Sequence, residues 1–201
     1  MSRRGQIRKL AKTDNAAALK LVSKLSDIRE QIQALGWVAR YAEPKRVQAI
    51  VDSAVQAANE YTRSESDLYA PAIALAWPLR ALHETGNLRS VQQVRDVALA
   101  MLPSVNPCSS RTECHATLLN AVIPSGLSAA DPVIDSMIAN CAGDNHWRIV
   151  RAFVDSALLV NGFNKARALE IATAIADETK RDATISRLQA GDSSLPRNFF
   201  W

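Results

Sequence analysis

The chain has 201 residues, 48% of them apolar but only 5% aromatic, and a net charge of +4. That length holds one generous domain or two small ones, and the lack of alternating β-branched runs argues against sheets. No run approaches the roughly 18 apolar residues of a membrane span. No apolar leader opens the chain, and three cysteines do not make a disulfide framework, so a reducing, cytoplasmic setting is expected.

Residues 1–24 carry Arg3, Arg4, Arg8, Lys9, Lys12, Lys20 and Lys24 against Asp14 alone, a net of +6, which leaves the remaining body at −2. Residues 1–14 read as a basic flexible arm, either a solvated tail or an electrostatic handle for nucleic acid or an anionic surface. The near-neutral body speaks against a wide nucleic-acid groove. Asn15 suits the cap of a helix through Ala16, Leu19, Val22 and Leu25, opening a helical domain expected over 15–190.

Helical hairpins follow. The first starts near Asp27, with Ile28, Ile32, Leu35 and Val38 at helical spacing, and turns at Pro44 into a run of Val47, Ile50, Val51, Ala54 and Ala58. The second begins near Asp67. Pro78 falls inside its leading helix and should kink or split it, and Gly86 supplies a C-cap before Leu88, Val91, Val94 and Ala98. Pro103–Ser110 reads as a loop. The third hairpin carries Leu118, Leu119 and Val122, turns at Pro124-Ser125-Gly126, and continues through Val133, Ile134, Met137 and Cys141. The fourth runs from Arg148 to an Asn161-Gly162 stop, expected to be left-handed, then through Ala168, Ile171 and Ala172 to a last helix ending near Leu188. Residues 191–201 form a tail that ends Phe199-Phe200-Trp201. These aromatics are either an exposed anchor for a partner or a cap on the last hairpin.

Trp37 to Trp77 is 40 residues, Trp77 to Leu118 is 41 and Leu118 to Leu158 is 40, intervals typical of two-helix solenoid units. Arg46, Arg89 and Lys165 open second helices, and the run KARALEIATAIADETKRDATISRL is rich in alanine. On these features residues 27–190 resemble the HEAT and armadillo class of helical-repeat proteins. The resemblance implies an all-α, right-handed α-solenoid of about four antiparallel hairpins with a concave face that binds another macromolecule. The third unit has no basic residue at the matching turn and leucine in place of tryptophan, which leaves the subfamily open.

Cys108, Cys114, His115, Cys141 and His146 are the soft-ligand set, but their spacing matches no short zinc motif, so no metal is expected. Cys114 and His115 are neighbours on a helix and point about 100° apart, poor geometry for activating a thiol. No phosphate loop or hydrolase motif occurs, and neither a catalytic residue nor a cofactor is expected. The informative pattern is Trp37-x-x-Arg40 and Trp77-x-x-Arg80, with Trp147, Arg148 and Arg151 as a looser counterpart. Residues three apart share a helical face, and Trp and Arg are enriched in binding hot spots. These tryptophans are either core wedges between hairpins or anchors on a binding face.

The expectation is a non-enzymatic protein-binding module, an adaptor, inhibitor or regulator, that engages a protein partner through Trp37, Arg40, Trp77, Arg80, Trp147, Arg148 and Arg151. The alternative is a nucleic-acid-binding HEAT-like protein that uses the basic arm. Less favoured is a DNA glycosylase-like enzyme. Some HEAT-like alkylation-repair glycosylases grip DNA with similar residues, but no carboxylate here matches their catalytic acid.

Overall fold

The computed structural model describes residues 3–201. Among them every regular element is a helix, so the fold is all-α. The chain divides into two compact units. One runs up to Ser104 and also includes Phe199–Trp201; the other is Val105–Asn198. The boundary follows the Leu102–Ser104 turn, within the stretch expected as one helical domain over 15–190.

The first unit opens with α1 (Arg3–Thr13) and α2 (Asn15–Val22). Residues 1 and 2 of the expected arm lie outside the described residues, and the rest of it is helical rather than flexible. The reason is a narrow apolar stripe that the surrounding charge conceals: Ile7 and Ala11, one turn apart, are both fully buried. Asp14, not Asn15, caps α2, accepting from the Ala17 N–H at 2.9 Å. Asn15 instead donates its amide to the Ala11 carbonyl at 2.7 Å.

α3 (Ile28–Arg40) is capped by Asp27, which accepts from the Glu30 N–H at 2.8 Å, and every residue from Ile32 to Ala39 is buried. It packs against α4 (Pro44–Tyr61), whose first residue is the expected proline. The next run is split into α5 (Tyr69–Ala74) and α6 (Ala76–Glu84). Pro78 explains the break, because it has no N–H to give the carbonyl four residues back. α6 crosses α3 closely at Gly36. A Cβ there would lie 2.7 Å from Trp77 Cβ and 2.8 Å from the Trp77 carbonyl carbon, so only glycine admits the approach. After Gly86, at φ +76°, α7 (Leu88–Met101) closes the unit against α5 and α6.

The second unit contains α8 (Cys108–Val122), α9 (Leu127–Cys141), α10 (Trp147–Asn161), α11 (Lys165–Thr173) and α12 (Glu178–Gln189). α8 begins inside the stretch expected to be loop. Gly126, at φ +100°, makes the turn into α9. His146, Asn164 and Asp177 cap α10, α11 and α12 with their side chains. The left-handed stop expected at Asn161-Gly162 does not form. Gly162 keeps a helical φ of −68°, and the Phe163 and Asn164 N–H groups bond instead to the Val160 carbonyl. Arg167 of α11 pairs with Asp131 and Asp135 of α9 and with Glu170. Partial desolvation is outweighed by the Asp135 and Glu170 carboxylates, which hold its guanidinium more firmly protonated than usual.

Residues 191–198 have no helix but are strapped to their own unit. Asn161 Nδ2 donates to the Asp192 carbonyl at 2.7 Å, the Ser194 N–H to the Leu158 carbonyl at 2.9 Å, and the Arg197 N–H to Asn120 Oδ1 at 2.9 Å.

Candidate peptide-binding cleft

The two Trp-x-x-Arg pairs come together in the first unit, where α3 crosses α6. Trp37 and Trp77 are 3% and 6% exposed, which makes them core residues, the first of the two alternatives posed for them. Their indole N–H groups both donate to one acceptor, the Phe200 carbonyl oxygen, each at 2.9 Å. A buried indole N–H needs a partner, and here a main-chain group of a distant segment supplies it for both.

The segment Phe199–Trp201 fills the cleft residue by residue. Phe200 is buried, with its ring edge-on to Trp77 at 5.2 Å between centroids. Phe199 stacks on Phe200 at 4.3 Å and remains 46% exposed. The Trp201 indole lies under the Arg40 guanidinium at 4.4 Å and donates its N–H to Glu84 Oε1 at 2.8 Å. Glu84 also pairs with Arg40 at 2.7 Å and Arg80 at 2.9 Å. Partial burial alone would raise the Glu84 carboxyl. The hydrogen bonds from Trp201 and Arg80, with the charges of Arg40 and Arg80, outweigh it and hold the group below the usual carboxylate range. On the other side of Trp37, Arg4 and Arg8 of α1 place their guanidinium groups 5.0 and 5.4 Å from the ring centre.

The aromatic tail therefore folds back, but onto the first unit and not onto the last hairpin. Neither Glu84 nor the Phe200 carbonyl was marked by the sequence pattern. Glu84 carried one signal, its place four residues after Arg80, where the two side chains meet on a helix face.

Trp147, Arg148 and Arg151 lie in the first turns of α10 in the second unit. Trp147 is 62% exposed; it stacks on His146 at 6.0 Å and lies under the Arg148 guanidinium at 5.2 Å. Arg151 pairs loosely with Asp155 at 3.8 Å. Trp147 is the first residue of its helix, so no preceding turn covers the ring.

The soft-ligand residues make a structural pair. His115 is fully buried between the Arg111 carbonyl, 3.0 Å from Nδ1, and Ser136 Oγ, 2.9 Å from Nε2. A carbonyl only accepts, so Nδ1 carries the proton and Nε2 accepts from the hydroxyl. Burial pushes His115 down to about 4, so the ring is neutral near pH 7. Cys141 Sγ is 3.9 Å from Nδ1, and burial pushes this thiol up to about 11. A protonated thiol beside a neutral imidazole is no nucleophile. Among the described residues, no three His, Cys, Asp or Glu side chains gather as a metal site. No helix among them is long and apolar enough to cross a membrane. No known protein family, no curated protein and no solved structure matches the chain.

Proposed function

We propose that this chain is a non-enzymatic protein-binding module, an adaptor, inhibitor or regulator working in the cytoplasm. The observation that carries this reading is that Trp37 and Trp77 both donate to the main-chain carbonyl of Phe200 in the aromatic segment Phe199–Trp201. Main-chain hydrogen bonds combined with pockets for individual side chains are how proteins hold short peptide segments. The Arg40–Glu84–Arg80 network beside it binds and orients, and it contains no nucleophile or activated base. Packing of α3 on α6 in one unit and of α8 on α10 in the other agrees with hairpins stacked in a right-handed HEAT-like solenoid, which we propose as the arrangement.

A second reading rests on α1. Arg4, Arg8, Lys9 and Lys12 are all exposed on one ordered helix, a compact basic surface for nucleic-acid phosphates. Affinity capture by the tagged full chain, with and without nuclease, separates the two. A stoichiometric protein retained after nuclease is expected. Nucleic acid in the eluate, with every co-purifying protein lost on nuclease treatment, would instead favour α1 as the functional surface.

A further inference from the structure

We propose that the Trp37–Trp77 cleft is a recognition site for a partner's aromatic segment of Phe-Phe-Trp chemistry, and that Phe199–Trp201 is an exchangeable occupant in cis. This rests on the protein-binding reading and names the ligand class of the same site.

Three observations support exchange. First, the contacts that hold the segment are confined to three consecutive residues: the Phe200 carbonyl and ring, the Phe199 ring, and the Trp201 indole. Such a footprint is transferable, because any chain presenting the same three groups makes the same bonds. Second, the chemistry is selective. The middle position needs an apolar ring that can be buried, the following one an aromatic with an N–H for Glu84 beneath Arg40, and the preceding one only a half-exposed ring. Third, the cis segment does not satisfy the cleft fully. Arg80 Nη1 is buried with no hydrogen-bond acceptor, which costs docking of the cis segment part of its stability.

Tethering sets the terms of competition. Attachment to the same chain gives the docked segment a high effective concentration, so a free peptide competes poorly until the cis segment is released or silenced. The cis segment thus works as a plug that raises the threshold for partner binding.

The test uses a fluorescein-labelled peptide Pro-Arg-Asn-Phe-Phe-Trp-amide and the full chain with Phe199→Ser, Phe200→Ser and Trp201→Ser, read by fluorescence anisotropy. Saturable 1:1 binding is expected, at least about tenfold tighter than to the natural chain. It should weaken about fivefold when Glu84→Gln is added and at least about tenfold when serines replace the peptide's phenylalanines. A folded triple variant that does not bind, or that binds no better than the natural chain, overturns the proposal. If the triple variant does not fold, a nitroxide-labelled peptide in excess is added to the natural chain. Selective broadening of the Trp37 and Trp77 indole N–H signals supports exchange, and its absence overturns it. A concentration-dependent dimer of the natural chain, abolished by the triple substitution, would make a second copy the occupant and overturn the assignment to a different partner. Loss of peptide binding while a nuclease-resistant protein is still captured removes the cleft as the site and leaves the protein-binding reading standing.

Discussion

Trp77 and Trp147 each have an arginine within four residues along a helix, yet they meet opposite fates. Trp77 is the second residue of α6, pressed against Gly36 of α3, and its N–H reaches the Phe200 carbonyl. Trp147 is the first residue of α10, stacked on His146 and largely in solvent. Nearness of Trp and Arg along the chain gives a shared face but not what lies opposite it. The opposing element decides, and for Trp77 that element includes a segment 123 residues away.

The largest expected difference between the two is in stability. Trp77→Ala removes a buried aromatic, one of the two donors to the Phe200 carbonyl and the ring on which Phe200 packs, at a cost of about 3–5 kcal/mol. Trp147→Ala removes a mostly solvated ring and should stay within about 0.5 kcal/mol. Urea unfolding of both variants checks this, and equal losses would break the distinction between core tryptophan and surface tryptophan.

Gly36→Ala approaches the same contact from the other helix. The new methyl meets Trp77 backbone and Cβ atoms at 2.7–2.8 Å, groups that cannot swing aside, so α3 and α6 must separate. A loss of about 1–3 kcal/mol is expected, with weakened docking of Phe200 seen as altered indole N–H signals for both tryptophans. No comparable substitution near Trp147 should have this effect.

Much of this cleft was legible in the sequence, and the reasons for the remainder are specific. The 40-residue register placed Trp37, Arg40, Trp77 and Arg80 as one set, and α3 and α6 do bring them together. Of the alternatives posed for the tryptophans, core or binding anchor, the structure gives the core at Trp37 and Trp77. Their rings are buried and their N–H groups both donate to the Phe200 carbonyl. The acceptor escaped notice because it is a carbonyl, which every residue has, 163 positions from Trp37. α1 was hidden because two small apolar residues suffice to dock it, while composition reports the five cations around them. Pro78 was legible as a break because its effect is local.

Glu84→Gln probes the charged rim of the cleft. The substitution keeps an acceptor for Trp201 but removes the charge that Arg40 and Arg80 share, and partial solvent exposure limits the expected loss to roughly 1 kcal/mol. The pH dependence has a definite sign. The folded-state carboxyl is held below its unfolded value of about 4.3. Its contribution is therefore present above that value and is lost as pH falls through the folded value. The stability gap between the natural chain and Glu84→Gln should close in acid. A gap that persists or widens at low pH would remove the charge network from the account of how Trp201 is held.

The smallest effect gives the finest comparison of the two tryptophans. Arg4 and Arg8 lie 5.0 and 5.4 Å from the Trp37 ring centre, and Arg148 lies 5.2 Å from that of Trp147, so the cation–π geometry is nearly the same. The environments differ: Trp37 is 3% exposed and Trp147 is 62% exposed. Water around Trp147 competes for both the cation and the ring face, whereas the face of Trp37 under α1 is shielded. Arg4→Gln or Arg8→Gln should each cost about 0.5–1 kcal/mol, and Arg148→Gln close to nothing. Because Ile7 and Ala11 still anchor α1, helix content should not change in the Arg4 and Arg8 variants. Double-mutant cycles of each arginine with its tryptophan changed to leucine isolate the pairwise energy from other losses. Equal coupling at the two sites would mean that burial does not set the strength of these contacts, and Trp147 would then be as strongly engaged as Trp37.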